Sequence, residues 1–570
     1  MVTTPMSTAA RTEALEAMER EGLDILVIGG GVTGTGAALD AVTRGLNTGL
    51  VEMRDWASGT SSRSTKLLHG GLRYLEMLDF GLVREALRER GLVMQKLAPY
   101  LSRPIPFIYP LTHKGWERLY VGSGILLYDI LAKEKGASKG VPNHKHMSKS
   151  TIMKLFPGLD PDVCVGAIRY YDGQVDDARH TMALARTAAA HGAHVANRAQ
   201  VTELIREAGR VVGAVVRDLE TGRDYTVRAG AVINATGVWT DEMQALLGEE
   251  GEFTVRASKG IHILVPRDRI KAKVGMILRT PTSVLFTIPW HHHWIIGTTD
   301  TDYKLDKADP TASAEDIEYV LEQANRVLKQ KLTKDDIVGT YAGLRPLVAG
   351  NADSTAKLSR EHLVIETTPG MVVVAGGKYT TYRVMAEDTV DEALKSMNKQ
   401  AGPCVTKDIP IIGVDGYQAS WNRRELLAEK QGLHVARVEH LLKRYGALAE
   451  DVLALGEEDA SLLEPIPGAN DYLKAEIVYS TREEGNLHLE DFLVRRTHIN
   501  MEVQDRGAEA AATVAELMAR ELGWDESVAK KELDSYLTRV EAELKANAAP
   551  TDEEAQQARL EAPDPTPIAG

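Results

Sequence analysis

Residues 23–52 read LDILVIGGGVTGTGAALDAVTRGLNTGLVE, and the fold is decided in this stretch. Leu23 to Ile28 is a short apolar, β-branched run of the buried-strand kind. Thr35 to Thr43 reads as a small-residue helix, and Asn47 to Glu52 as a second short strand that ends in a carboxylate. Strand, helix and strand in this order form a β-α-β unit, which normally belongs to a parallel sheet. Between the first strand and the helix, Gly29, Gly31 and Gly34 make the pattern G-x-G-x-x-G. The first glycine permits a tight turn, the second lets backbone approach a pyrophosphate, and the third lets helix and strand pack closely. Such a pattern alone is weak evidence. Here it follows a strand, opens a helix, and is succeeded 18 positions after Gly34 by Glu52, where an acid binds a ribose hydroxyl. A carboxylate in that place disfavours a 2′-phosphorylated dinucleotide.

The same punctuation recurs downstream. VINATGVW (232–239) is an apolar strand running into Ala235, Thr236 and Gly237, and VVVAGGKYTTYR (372–383) runs into Gly376 and Gly377. Three strand-to-glycine turns far apart in sequence suit an extended cofactor gripped at both ends, which favours FAD over NAD. Further strands are expected at Ala193–Asn197, Val201–Ile205, Arg210–Arg217, Tyr225–Asn234, Ile261–Val265, Val284–Trp290, Trp294–Gly297 and, around a Pro-Gly turn, Leu363–Ala375. Helices are expected at about Thr8–Gly22, Leu82–Leu97 and Ala312–Leu328, and residues from about Ala419 to Ala542 carry helical spacing throughout. No solenoid-type repeat is visible.

The chain has 570 residues, 44% hydrophobic and 26% charged, enough to bury large cores and to exclude disorder as a whole-chain reading. Lys and Arg number 67 against 81 Asp and Glu, a net charge of −14. That balance argues against nucleic acid as a partner, and, as an average, against anionic small substrates. Cys164 and Cys404 supply neither a disulfide framework nor a zinc pattern and read as reduced, buried thiols. The N-terminal stretch has no apolar core of the secretory kind, and no apolar run reaches membrane-spanning length. The expected location is cytoplasmic, with peripheral contact at the inner face of the cell membrane left open. His291-His292-His293 sits between two strand-like runs and is read as a turn rather than a metal site, since neighbours on a strand point to alternate faces. Trp116–Leu131 is apolar with aromatics and is followed by lysines 133, 135, 139, 145, 149 and 154. The favoured reading is a core helix with a solvated basic loop; the alternative is a surface that rests on anionic lipid.

The motifs together resemble the aerobic, FAD-dependent glycerol-3-phosphate dehydrogenases and the related glycerol-3-phosphate oxidases. The matching segments are GGGVTGTGAALDAVTRGL from Gly29, SRSTKLLHGGLRYLE (62–76), YYDGQVDDAR (170–179), NATGVW (234–239), SKGIHILVP (258–266), IPWHHHWIIGTTDTDY (288–303), YAGLRPL (341–347), SREH (359–362), GGKYTTYR (376–383) and DFLVRRT (491–497). HGGLRYLE and GGKYTTYR are far more specific than the opening glycines. The chain departs from the pattern at Thr65, where serine is expected beside the lysine, and has no room for the insertion common in the oxidases, which tilts the reading to a dehydrogenase. The resemblance implies an α/β (overall α+β) protein: an FAD-binding Rossmann-like domain of the glutathione-reductase/D-amino-acid-oxidase type (23–98, 168–255 and 356–398), an antiparallel-sheet substrate cap (99–167 and 256–355) and a C-terminal helical domain (403–545). Residues 1–22 are expected as an N-terminal extension and 546–570 as a disordered acidic tail.

The implied reaction is oxidation of sn-glycerol 3-phosphate to dihydroxyacetone phosphate by hydride transfer to FAD, with a membrane quinone downstream and a homodimer as the expected assembly. Oxygen as acceptor, an amine or hydroxy-acid oxidase of the same fold, and a flavin-stabilised binding protein are the alternatives. By resemblance, Arg73, Tyr74, Arg345, Arg360 and Lys378 surround the substrate, while His69 and Lys259 lie near the flavin and the reacting carbon. Cofactor contacts are implied for Gly29, Gly31, Gly34, Glu52, Thr60, Ser61, Thr65, Lys66, Leu67, Val201, Ala235, Thr236, Gly237, Gly377, Lys378 and Thr380. Alcohol oxidation needs a hydride acceptor, a sink for the hydroxyl proton and a clamp on the substrate. His69 suits the proton acceptor, because imidazole titrates near neutral pH; Arg345, in an apolar setting, suits stabilisation of the alkoxide. Lys66, His69 and Arg73 would share one face if their segment were helical; Gly70 and Gly71 make a loop the competing reading.

Overall fold

A computed structural model describes residues 4–75, 79–133, 141–248, 253–281, 283–349, 362–562 and 564–565. The glycine motif is placed as its spacing demands: strand β1 (Leu23–Ile28), helix α2 (Val32–Thr43) and strand β2 (Thr48–Val51), preceded by helix α1 (Thr8–Glu21). β1 pairs in parallel with β2 on one side and with Asp224–Asn234 on the other. The sheet extends through Met371–Gly376 and the antiparallel strand His362–Thr368 at one edge, and through His194–Ala196 at the other. Alternation along β1 sends Ile25 and Val27 into a core shared with α2 and helices Asp177–Ala190 and Tyr382–Ser396, and Leu26 and Ile28 into a core on the opposite face. That second core is closed by α1, whose Leu15 and Met18 are fully buried and whose Arg11 binds Asp218 at 2.5 Å. Residues expected as an extension are therefore an integral layer of the dinucleotide domain, because α1 carries an apolar stripe that the sheet needs.

A second, ten-stranded sheet forms the cap. Its longest strand is Val255–Pro266, antiparallel to Gly339–Val348 over ten residue pairs and to His293–Gly297 on its other flank. Gly166–Val175 belongs to this sheet, so the chain returns to the dinucleotide domain only after Val175, later than the expected 168. His291 and His292 make the tight turn between Val284–Trp290 and His293–Gly297, with His291 at φ +41°. Helix Trp116–Lys133 buries Gly122, Ile125, Tyr128 and Leu131 but leaves Trp116 63% and Leu119 76% exposed, together with Tyr120, Leu126 and Ile130. The core-helix reading thus holds for one face only.

From Tyr417 onward the chain is mostly helical around its own core, which includes Leu441, Val452, Ile477, Phe492, Val514 and Met518. The tail departs from expectation. Among its described residues, Thr551 caps a helix Asp552–Arg559, and Arg559 is buried against Asp309 at 2.8 Å. An acid-rich composition predicts a solvated segment, but these acids meet cations presented by distant strands and loops.

The helical domain grips the dinucleotide domain through buried ion pairs. Asp55, fully buried just beyond β2, accepts hydrogen bonds from Arg495 Nε at 2.6 Å and from both terminal nitrogens of Arg496 at 2.7 Å. Those two arginines hold its carboxyl far below the usual carboxylate range, against a strong opposing effect of burial. Replacing one member of a buried cluster strands the others. Asp55→Ala is expected to destabilise the protein by about 3–5 kcal/mol, seen as an earlier unfolding transition in urea.

Candidate dinucleotide and substrate site

A cavity of about 420 Å³ runs along the end of the parallel sheet and into the face of the cap. At its centre lies the glycine turn. Gly29 has φ +116°, and a Cβ there would stand 2.6 Å from the carbonyl oxygen of Ala235. A Cβ on Gly34 would meet the carbonyl oxygen of Gly29 at 1.9 Å, so α2 approaches β1 at a distance only glycine allows. Gly31 is the N-cap of α2 and, like Gly29, Thr60, Ser61, Ala235, Thr236 and Gly237, lines the cavity. The helix N-terminus therefore opens onto the space. Ser61 Oγ accepts from Val32 N at 2.9 Å and ties the next segment to that turn.

One end of the cavity is walled by the residues after β2, by Val201 and by Trp239. Glu52 is held there by the amide hydrogens of Gly30 at 2.6 Å and Arg54 at 2.8 Å, while burial pushes its carboxyl pKa up. The other end reaches the cap, where His69, Tyr74, His262, Arg345 and Lys378 come together with Thr65, Leu67, Gly377 and Thr380. Arg345 lies on the strand Gly339–Val348, 23% exposed, anchored by Nη2 to Thr298 Oγ1 at 3.0 Å and to the Thr299 carbonyl at 3.2 Å. Gly260 makes room for it: a Cβ there would stand 2.4 Å from the same Nη2. Lys378 lies 3.7 Å from the centroid of the Tyr74 ring, a cation–π contact that turns its charge toward the cavity wall. Thr380 Oγ1 bridges to His69, accepting from its backbone N at 3.2 Å.

Three sequence assignments, those of Lys259, Lys66 and Gly34, are corrected by the geometry. Lys259 lies on the far side of its strand: alternation turns Gly260 and His262 to the cavity and sends Lys259, fully buried, to Asp316 and Asp552. Lys66, with φ +56°, turns beneath the site, where Nζ meets Asp177 Oδ1 at 2.5 Å and lies near the rings of Trp290 and Tyr341. The segment is not a helix. Leu67–Leu68 pairs with Gly173–Gln174 and Leu72–Leu75 forms a short 3₁₀ turn, so Lys66 and His69 do not share a face. Gly34 serves the helix contact rather than the cavity wall. The side chain of Arg73 and all of Arg360 lie outside the described residues.

His262 is one of the candidate basic groups of the motifs, without an assigned role. It lines the cavity, stacks on Tyr341 with ring centroids 4.7 Å apart, and meets Thr65 Oγ1 through Nε2 at 3.1 Å. Burial, then the charges of Arg345 and Lys66, hold its pKa well below the ordinary value, so the ring is neutral. Its signal was the period-two pattern Gly260-x-His262 on a strand. Arg54 and Trp239 at the opposite end were also missed.

The chain is similar to known proteins over most of its length. Residues 24–390 match the model of the FAD dependent oxidoreductases, and residues 404–529 match the C-terminal domain of alpha-glycerophosphate oxidase. Glycerol-3-phosphate dehydrogenase 2 of Mycobacterium tuberculosis is 53% identical over 556 residues, covering 98% of this chain and 94% of that protein. The mitochondrial glycerol-3-phosphate dehydrogenase of Homo sapiens is 38% identical over 535 residues, covering 90% of this chain and 72% of that one. The crystal structure of the Bacillus halodurans glycerol-3-phosphate dehydrogenase complexed with FAD superposes with a TM-score of 0.78 at 30% identity, covering 95% of this chain and 99% of that one. The chain belongs to the FAD-dependent oxidoreductases and, among them, to the glycerol-3-phosphate dehydrogenase family.

Proposed function

We propose that this protein oxidises sn-glycerol 3-phosphate to dihydroxyacetone phosphate with FAD as hydride acceptor, and that its electrons pass to a membrane quinone. The observation that carries the reading is the convergence of two cations, Arg345 and Lys378, with His69 and a neutral His262 at one end of a dinucleotide-shaped cavity. The residues present fit FAD. Gly29 and Gly34 leave no room for side chains at the turn, the N-terminus of α2 and Ser61 face the phosphate position, and Glu52 stands where a ribose hydroxyl would lie. When bound, FAD would supply the acceptor for the hydride that leaves C2 of the substrate.

The protein's own side chains do the rest. Lys378 binds the phosphate dianion, with Arg73 and Arg360 assigned to the same clamp by resemblance. Binding energy from that remote group is spent on alignment at C2. Arg345, fixed by Thr298 and Thr299, stabilises the oxyanion that develops on O2. His69 takes the hydroxyl proton, and His262 holds Thr65 and excludes water from that wall without adding charge.

Helix Trp116–Lys133 supports the acceptor assignment. Trp116, Leu119, Tyr120, Leu126 and Ile130 fall on one exposed face, and Lys114, Lys133, Lys145, Lys149 and Lys154 around it are exposed. An apolar face rimmed by lysines matches an anionic membrane surface from which a quinone is delivered. No helix among the described residues is long and apolar enough to cross a membrane.

Anaerobic bleaching of the flavin by glycerol 3-phosphate tests the chemistry. Arg345→Met is expected to slow it by at least about 100-fold, and an unchanged rate rejects the assigned role. Reduced enzyme should then reoxidise rapidly with a soluble quinone and slowly in air; stoichiometric peroxide in air would make it the oxidase instead. The double variant Leu119→Glu, Ile130→Glu should lose binding to phosphatidylglycerol vesicles and keep the bleaching rate.

A further inference from the structure

We propose that helix Asp552–Arg559 and Asp564 form a strap that holds Arg54 against the adenosine end of the cofactor pocket and so sets how tightly FAD is retained. The proposal rests on the cofactor assignment above and concerns residues that this assignment does not use.

The strap is pinned at three places: the first and last are on elements that carry a wall of the cavity, and the middle one is on a loop that holds the cavity-lining Arg63. At its start, Asp552 shares the buried ammonium of Lys259 with Asp316. Lys259 is on the strand whose next residue, Gly260, lines the cavity. In the middle, Gln556 Oε1 accepts from Asp306 N at 3.1 Å, and Arg559 meets Asp309 at 2.8 Å. Asp309 also holds Arg539 at 2.9 Å and the cavity-lining Arg63 at 2.7 Å, and these cations keep its carboxyl well below its ordinary pKa. At the end, one oxygen of Asp564 takes two hydrogen bonds from Arg54, from Nη2 at 2.8 Å and from Nε at 3.2 Å.

Arg54 is the point of the arrangement. It follows Glu52 by two residues, lines the cavity, and stands 5.7 Å from the centroid of Trp239, itself part of the wall. Its Nη1 is buried and makes no hydrogen bond within the described protein. A buried guanidinium nitrogen needs an acceptor, and the cavity beside it is the space where a ribose or phosphate oxygen can supply one. Arginine side chains lose roughly 2 kcal/mol of rotamer freedom when fixed. Asp564 fixes this one in advance by occupying its other two nitrogens, so cofactor binding does not have to order it. The acids of the tail thus act on cofactor retention without touching the cofactor.

The test is the rate at which the purified holoenzyme releases FAD, read from the return of free-flavin fluorescence after dilution. Asp564→Ala is expected to speed release about tenfold, the order of one charge-assisted hydrogen bond, and Arg54→Ala to do the same. The double variant should release no faster than Arg54→Ala alone, because the strap works through that residue. Unfolding of the polypeptide under saturating FAD should stay within a degree or so of the parent, which separates retention from general stability. Unchanged release from Asp564→Ala overturns the proposal. So does a full effect of Asp564→Ala added on the Arg54→Ala background. A parent protein that purifies without flavin and takes up none would overturn the cofactor assignment instead.

Discussion

One buried carboxylate holds the architecture together. Asp55 takes hydrogen bonds from Arg495, Arg496 and, at 3.3 Å, Asn197, and all four residues are sealed from solvent. Removing two guanidinium groups and a carboxylate from water costs several kcal/mol for each ion, so the cluster exists only when every partner is in place. Asp55 lies in the loop that leaves β2, three residues after Glu52 and next to Arg54. The helical domain therefore sets the position of the loop that walls one end of the cofactor cavity. Arg179–Glu484 at 2.6 Å and Arg198–Asp491 at 2.8 Å repeat the same kind of joint along the interface.

This way of building explains the charge balance. A net charge of −14 argues against anionic ligands only if the charges are spread evenly. They are not. Acids are used up inside the protein on Arg495, Arg496, Arg179, Arg198, Lys66 and Lys259, while Arg345, with Asp300 at 3.6 Å, and Lys378 line the cavity. Lys66 and Lys259 show the cost of reading motif cations as ligands. Both sit in family-specific segments, and both are structural because a carboxylate meets them in the interior.

How much was readable depended on how far apart the interacting atoms lie in sequence. The turn Gly29–Gly34, its helix and the acid at Glu52 follow from local sterics, because a Cβ at Gly29 or Gly34 would strike backbone already present. The hairpin at His291–His293 and the strand pair around Pro369-Gly370 follow from turn chemistry in the same way. Helix Trp116–Lys133 was readable as a helix, but its spacing carried apolar residues on two faces, and only the cap sheet decided which face it covers. The acidic tail was misread, since composition counts charges and does not record that Asp552, Arg559 and Asp564 have partners 293, 250 and 510 residues away.

The sequence by itself determined the dinucleotide-binding β-α-β unit, the discontinuous sheet of that domain, the helical C-terminal region and part of the cavity lining, including Gly29, Glu52, Ser61, His69, Arg345 and Lys378. These rest on short-range rules: period, turn residues and the space a glycine leaves. Only the tertiary structure decided that Lys259 and Lys66 face away from the site, that His262 faces into it, and that the first and last segments are structural parts of the protein. Each of those outcomes is set by the face a strand presents or by a charge that arrives from a distant part of the chain, and neither is written in local sequence.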